Sequence, residues 1–453
     1  MTPPLRKVSV AILSWNGRRH LETCLAALAG QDAPGVAWEV LVLDNGSTDG
    51  TAEWLRRAHP AVRLLASPVN LGFCAGNDRL VAAAAGDAVA FLNNDTRPER
   101  GWLAALVEAL AAAPADVAAV SGRIVDWEGE RLDFGRGVMT FDGHAFQLDF
   151  RRPLALARVP EAGEELFFAC GGNMLVRRAS FLAAGGFDEE YFAYLEDVDL
   201  GWRLWAGGER VLFEPAAVVR HRSNATSDLL GLYNRGFLFE RNAFLTAYKN
   251  YEPGLWERMM PALLLTIIAR TQALVAGHNP GGATLRIDPY AGWIANTAPA
   301  GANAAPPPQT PSAPDIRPSA FTPAGFAARL REYGARDLLG RAWRKLRPAA
   351  STRYPVLNDE RTIAQLRALS YLLGHLDAAA ERRAAVQRRR RRPDREIFVR
   401  FPPYLVPTYP GDAELFASSG FETWLPKDLP LVRAELSEIM EMDPLTRTES
   451  LLE

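Results

Sequence analysis

WEVLVLDNGSTDGTAEWLRRA, residues 38–58, decides the fold. Trp38–Leu43 is a short, mostly apolar run, as expected of a strand buried in a sheet. It stops at Asp44-Asn45-Gly46-Ser47-Thr48-Asp49, a cluster of turn formers. Thr51–Ala58 then takes up helical spacing, with Thr48 or Asp49 available to cap it. The same unit recurs on both sides. Upstream, Val8–Ser14 is an apolar strand that ends at Trp15-Asn16-Gly17, ahead of a helix over Leu21–Ala29. Downstream, a strand over Arg63–Ala66 leads through Asn70-Leu71-Gly72-Phe73-Cys74 to a helix over Ala75–Ala84. Another strand, Ala88–Leu92, ends at Asn93-Asn94-Asp95, with a helix from Arg100. Repeated β-α units predict a mostly parallel sheet with helices on both faces. Ligands of such sheets gather at the carboxyl ends of the strands, where each of these polar clusters falls.

The 453 residues allow two or three domains. A formal net charge of -2 gives no sign of a bulk nucleic-acid binder. Cys24, Cys74 and Cys170 are too few and too far apart for a zinc site or a disulfide framework, and suit a reducing cytosol. The apolar start Val8–Ser14 is too short for a signal peptide. The longest apolar candidate for a membrane span, Pro261–Ala276, is broken by Arg270. The expected organisation is an α/β domain over 1–250, an apolar helical segment over 251–278, a Pro/Ala/Gly-rich linker over 279–323, and a helical, Arg-rich region over 324–453. Leu229–Ala276 reads as helical, and Arg388–Arg392 is an unbroken basic run. The bland reading of that run is a solvated helix face. The sharper one is peripheral contact with an anionic membrane.

Four segments could carry chemistry. Ser14 and Asn16 after the first strand, with Asp44 and Asn45 after the second, present amides and a carboxylate that can read a nucleotide base; the same residues also serve ordinary turns. Gly72 lets backbone approach a phosphate or ribose where the helix carrying Asn77 begins, although such a glycine is often only structural. Asn93, Asn94 and Asp95 place three oxygen-bearing side chains at a strand end, suited to a hard cation such as Mg²⁺ or to capping the next helix. The last segment holds Gly171 and Gly172, then Glu196-Asp197-Val198-Asp199 ahead of an apolar helix, then His221. Acidic residues at a helix start are favoured by its dipole. They also supply a general base for a hydroxyl nucleophile. His221 could donate nitrogen to a metal or be structural.

Taken in order, VSVAILSWNG, VLVLDNGSTDGT, NLGFCAGND, FLNNDTRP, ACGGNMLVRR, GGFDEEYFAYLEDVDLGWR and VVRH resemble the family 2 glycosyltransferases of the GT-A fold, in the bacterial rhamnosyltransferase and galactofuranosyltransferase branch. The resemblance spans roughly Lys7–Asn250. It implies an inverting, metal-dependent hexosyltransferase with a Rossmann-like nucleotide-diphospho-sugar domain and a helical C-terminal extension. The donor would be dTDP-rhamnose or a UDP-sugar, and the acceptor a glycan or lipid-linked glycan of the cell envelope. It implies base recognition by Asp44, metal binding by Asp95 and His221 with Mg²⁺ or Mn²⁺, and a catalytic base at Asp197 beside Glu196. Gly171 and Gly172 would flank the acceptor. Asn93 stands where the family's metal motif has its first aspartate, and an amide is the weaker ligand. The place of work implied is the cytoplasm, with peripheral contact at the inner membrane face. Two other readings compete: a sugar-phosphate nucleotidyltransferase, whose nucleotide loop SWNGRRH matches poorly, and an inactive nucleotide-sugar-binding module, which Asn93 favours and Asp95, Asp197 and His221 oppose.

Overall fold

The computed structural model describes residues 5–222, 232–277 and 360–441, apart from 410 and 419. The expected linker 279–323 and residues 324–359 lie outside them. Strands β1 (Lys7–Ser14), β2 (Ala37–Asn45), β3 (Arg63–Ser67) and β4 (Ala88–Leu92) alternate with helices α1 (Arg18–Ala29), α2 (Thr51–Ala58) and α3 (Gly72–Ala83). Val8, Ser9, Val10, Ala11, Ile12, Val89, Ala90 and Phe91 are all buried, so both faces of β1 and β4 are covered. That is why these strands read as apolar runs without alternation.

Beyond β4 come β5 (Thr96–Pro98), α4 (Trp102–Ala112), β6 (Val117–Asp126) and β7 (Leu132–Phe134). The hairpin β8 (Arg136–Met139) and β9 (Ala145–Leu148) precedes β10 (Asn173–Arg177), α5 (Arg178–Ala184), α6 (Glu196–Ala206) and β11 (Arg210–His221). The main sheet has the order β3-β2-β1-β4-β10-β6-β11-β5, with β7 paired to β6. The expectation of a mostly parallel sheet holds for β1 to β4 and for the β6–β11 pair, while the rest of the sheet is mixed. β10 runs antiparallel to both β4 and β6, and β5 antiparallel to β11. The reversal matters for the site. It brings the N-terminal end of β10 to the edge where β1, β2 and β4 end, pairing Asn173 with Leu92. His221, the last residue of β11, pairs with Thr96 just past β4.

The helix expected over Leu229–Ala276 is two: α7 (Leu232–Asn250) and α8 (Pro253–Gly277). Pro253 explains the break, because proline disfavours helical backbone in the residue before it. The C-terminal region adds α9 (Glu360–Gly374), α10 (Leu376–Arg389), α11 (Asp394–Arg400), β12 (Tyr404–Leu405), α12 (Asp412–Ala417), β13 (Val432–Arg433) and α13 (Leu436–Ile439). Helices α9 and α10 pack on α7, and α11 on α6. Trp202 of α6 lies edge-on to Tyr251 and Phe398, and its indole N–H donates to Asp394 at 3.0 Å. The chain then returns along the β8–β9 hairpin: Asp149 N–H donates to Ile439 O, and Phe150 bridges to Met440. Arg270, which interrupts the apolar run of α8, is buried between Asp142 and Asp412 at 2.9 and 2.7 Å. No described helix is long and apolar enough to cross a membrane.

Candidate active site

The strand ends open into one cavity of about 560 Å³. Its lining includes Asn45, Gly72, Asn93, Asn94, Asp95, Gly171, Gly172, Glu196, Asp197 and His221. Four residues expected to bind nucleotide are not in that lining. Ser14 accepts from Asn94 Nδ2 at 3.1 Å and so orients a residue that is. Asn16 has φ 50° and accepts from Thr48 N–H at 2.8 Å, and Asp44 accepts from Ser47 N–H at 3.1 Å; both hold the β1 and β2 turns together. Asn77 turns back to Phe73 O at 3.0 Å within its own helix. Asn45 and Asn70 knit β2 to the start of α3, with Asn45 Oδ1 accepting from Leu71 N–H at 2.9 Å. Gly72 has φ 79°, and a Cβ there would lie 2.5 Å from the Phe192 ring. Only glycine suits both demands.

On one side of the cavity, His221 stands between two carboxylates. Its Nε2 is 3.4 Å from Asp95 Oδ1, and its Nδ1 is 2.9 Å from Asp133 Oδ2. Burial opposes charge on the ring, but the hydrogen bonds and charges of Asp133 and Asp95 outweigh it and raise the pKa to about 10. A ligating histidine that gives its second ring nitrogen to a carboxylate is the usual metal-site pattern. Two ligands at roughly 2.0–2.2 Å from one ion also sit about as far apart as Asp95 Oδ1 and His221 Nε2. Asp95 and His221 therefore fit a divalent cation as a two-residue half-site, the ion taking the place of the Nε2 proton that the raised pKa keeps on the ring without it. Among the described residues no group of three His, Cys, Asp or Glu side chains completes such a site. The other ligands would come from substrate oxygens or water.

Glu196 and Asp197, in the first turn of α6, form a second cluster. Asp197 Oδ2 accepts from Gly171 N–H at 3.1 Å and Oδ1 from Val198 N–H at 2.9 Å. Burial raises the Asp197 pKa against the pull of those donors. Burial, then the neighbouring Asp197 charge, pushes Glu196 up to about 8. Glu196 Oε2 is buried with no hydrogen-bond partner among the described residues. A buried carboxyl oxygen left unsatisfied is costly, and a substrate hydroxyl would satisfy it.

The backbone that delivers this pair is strained. Phe192, Tyr194 and Leu195 have φ of 62°, 72° and 64°, immediately before Glu196. Each left-handed non-glycine residue costs about 1–3 kcal/mol and persists only when its surroundings over-determine it. Here α7 does so. Asn242 Nδ2 donates to Tyr191 O, Ala193 O and Tyr194 O at 3.0, 2.8 and 2.8 Å. Arg241 donates to Glu190 O and Tyr191 O, and its Nε to Asn242 Oδ1. Lower on the same helix, Lys249 pairs with Asp188 and, at 3.0 Å, with Asp199, which also holds Arg203 at 2.8 Å. Sequence reasoning missed Asp133, Arg241 and Asn242. Asp133 sits in RLDFGRG, which carries no motif. Asn242, Thr246, Lys249 and Asn250 do recur at helical spacing and are all buried. A polar stripe of that period ordinarily marks a solvent face.

Residues 9–183 match the model of the glycosyl transferase family 2. Over 238 residues the chain is 34% identical to the N-acetylglucosaminyl-diphospho-decaprenol L-rhamnosyltransferase of Mycobacterium tuberculosis, covering 48% of this chain and 76% of that one. It is 31% identical over 221 residues to the pre-mycofactocin glycosyltransferase of the same organism, covering 48% of this chain and 43% of that one. Among solved structures, the mannosyltransferase PcManGT from Pyrobaculum calidifontis, in complex with GDP-Man and Mn²⁺, aligns with a TM-score of 0.40 at 20% identity, over 66% of this chain and 85% of that one. The chain belongs to the family 2 glycosyltransferases, in their rhamnosyltransferase branch.

Proposed function

We propose that this glycosyltransferase inverts: it moves a sugar from dTDP-rhamnose or a UDP-sugar to a hydroxyl of a glycan, free or lipid-linked, in cell-surface polysaccharide synthesis. One observation carries the reading. The Asp95–His221 half-site and the Glu196–Asp197 pair line the same cavity. One can hold the diphosphate end of a donor while the other meets an acceptor.

In this reading Asp95 and His221 hold Mg²⁺ or Mn²⁺, which would offset charge on the departing nucleoside diphosphate. Asp133 fixes the His221 ring so that Nε2 faces the cavity. Asn45, Asn93 and Asn94 supply neutral donors and acceptors for ribose and base. Asp197 takes the proton from the acceptor hydroxyl, oriented by Gly171 N–H. Glu196, protonated at neutral pH, donates a hydrogen bond to sugar or acceptor and leaves Asp197 as the base. The hydroxyl oxygen forms its bond to the anomeric carbon as the bond to the diphosphate oxygen breaks. No side chain bonds to the sugar, so the configuration inverts. The test is a panel of nucleotide sugars with truncated glycan acceptors, the product anomer being read by NMR. A product with retained configuration would refute the mechanism, and release of nucleoside monophosphate would refute the reaction class.

A further inference from the structure

The Arg388–Arg392 run does not act as one basic patch. Arg390 donates to Asp394 at 2.8 Å. Arg392 donates to Trp205 O, Gly208 O and Glu209 O at 3.1, 3.1 and 3.2 Å, with its guanidinium 4.9 Å over the Trp205 ring. Arg390 ties the end of α10 to the start of α11, and Arg392 ties it to the end of α6. Arg391 and Arg392 also give their backbone N–H groups to Ala206 O, which fixes the chain direction here. Arg388, Arg389 and Arg391 are exposed, and among the described residues their side chains make no hydrogen bond or ion pair.

These three guanidinium groups line a cleft of about 890 Å³ with Gly185 at the end of α5. The other charges in its walls are only partly paired. Asp188 is held by Lys249 and Arg382, and Glu209 accepts from the Ser180 hydroxyl at 2.5 Å. Arg203 donates to Ala184 O at 2.7 Å and so blunts the negative end of α5. Glu189 is exposed. The cleft thus keeps a positive excess: Arg388 and Arg389 make no ion pair among the described residues, and Arg391 lies near enough to Glu209 to oppose the rise that burial causes in its pKa; arginine is the side chain whose planar fork best matches phosphate oxygens.

We infer that this cleft binds a phosphate group, either an anionic lipid headgroup or a soluble phosphate ester. The inference does not use the transfer reaction, so its failure leaves that reading intact. The test titrates the full chain with inorganic pyrophosphate by calorimetry, at low salt and in EDTA to silence the metal half-site. It is repeated with the triple variant R388Q/R389Q/R391Q. The wild type binds saturably, and the variant binds on the order of 100-fold more weakly, roughly fivefold per arginine, with unchanged melting temperature. Sedimentation with phosphatidylcholine vesicles, with and without phosphatidylglycerol, separates the sources. Binding only to the anionic vesicles, reversed by pyrophosphate, assigns a headgroup. Pyrophosphate binding without vesicle binding assigns a soluble phosphate. A wild type that binds no pyrophosphate at low salt, or a variant that binds it equally well, overturns the site.

Discussion

Replacing Asn242 by Ala removes the clamp on the loop that aims Glu196 and Asp197. One amide has two N–H groups, and three carbonyls lie within 3.0 Å of its nitrogen. Tyr191 O keeps Arg241 and the Ala193 N–H, so the loss falls on Ala193 O and Tyr194 O, both part-buried, at about 1–3 kcal/mol each. Against this, Phe192, Tyr194 and Leu195 hold strain of about 1–3 kcal/mol each, which the loop sheds if it relaxes. The two terms are similar in size and opposite in sign. Arg241 still holds Tyr191 O, so the loop sheds only part of its strain, and global stability should fall by about 1–3 kcal/mol, less than the lost hydrogen bonds alone suggest. The relaxed loop no longer places Asp197, and a misplacement of about 1 Å costs roughly 10²-fold in rate. Donor contacts made from β2 and β4 are not part of the clamp, so kcat falls much further than donor affinity. Asn242→Asp keeps the shape but sets a carboxylate against three carbonyls, and should be no better than Ala. The measurements are urea unfolding and steady-state transfer on each variant. If Asn242→Ala loses 4 kcal/mol or more of stability yet keeps a third of wild-type kcat, Asn242 is packing and the positioning argument is wrong.

Asp197→Asn should lower transfer by on the order of 10²-fold or more while leaving donor binding intact; retention of a tenth of the wild-type rate would show that the base lies elsewhere. Chelation should stop transfer, with Mg²⁺ or Mn²⁺ restoring it. Asp133→Ala, which spares both proposed ligands but removes the acceptor of His221 Nδ1–H, should weaken metal-dependent donor binding by about 10–100-fold; full activity in excess EDTA would exclude the metal role of Asp95 and His221. Glu196 titrates near 8 in the folded protein against roughly 4.3 in the unfolded chain. Folding therefore favours its protonated form, and that contribution is complete below the unfolded value and lost as pH rises through 8. Glu196→Gln should gain stability over wild type between pH 6 and pH 9 by on the order of a few kcal/mol, read from urea midpoints; an equal gap at both pH values would mean that charge burial is not the cause.

How legible each part of the molecule was depended on whether its physics is local. The β-α units over residues 7–92 announced themselves, because strands covered on both faces must be apolar and their ends must be polar turns. Helix α2 falls on the expected residues, Thr51–Ala58, and β4 on Ala88–Leu92. The direction of β10 was not readable. MLVRR looks the same in a parallel or an antiparallel strand, and only pairing with Phe91 and Ser121 sets its polarity. β5 escaped because three residues, Thr96–Pro98, carry no period.

The site divides along the same line. Residues that face the cavity from a strand end, such as Asn45, Asp95 and His221, were readable because a polar side chain ending an apolar run is conspicuous. Residues that only hold others in place were harder to see. Asn242 reads like a surface residue but carries the backbone behind Asp197. Polarity in a sequence reports that a group needs a partner, without saying whether the partner is water, substrate or the protein's own backbone. The five consecutive arginines show the point most plainly. Arg390 and Arg392 spend their charge and hydrogen bonds inside the protein, on Asp394 and on the carbonyls that end α6, while Arg388, Arg389 and Arg391 do not. Identical side chains one residue apart take opposite roles because Ala206 O fixes the direction of the backbone between them.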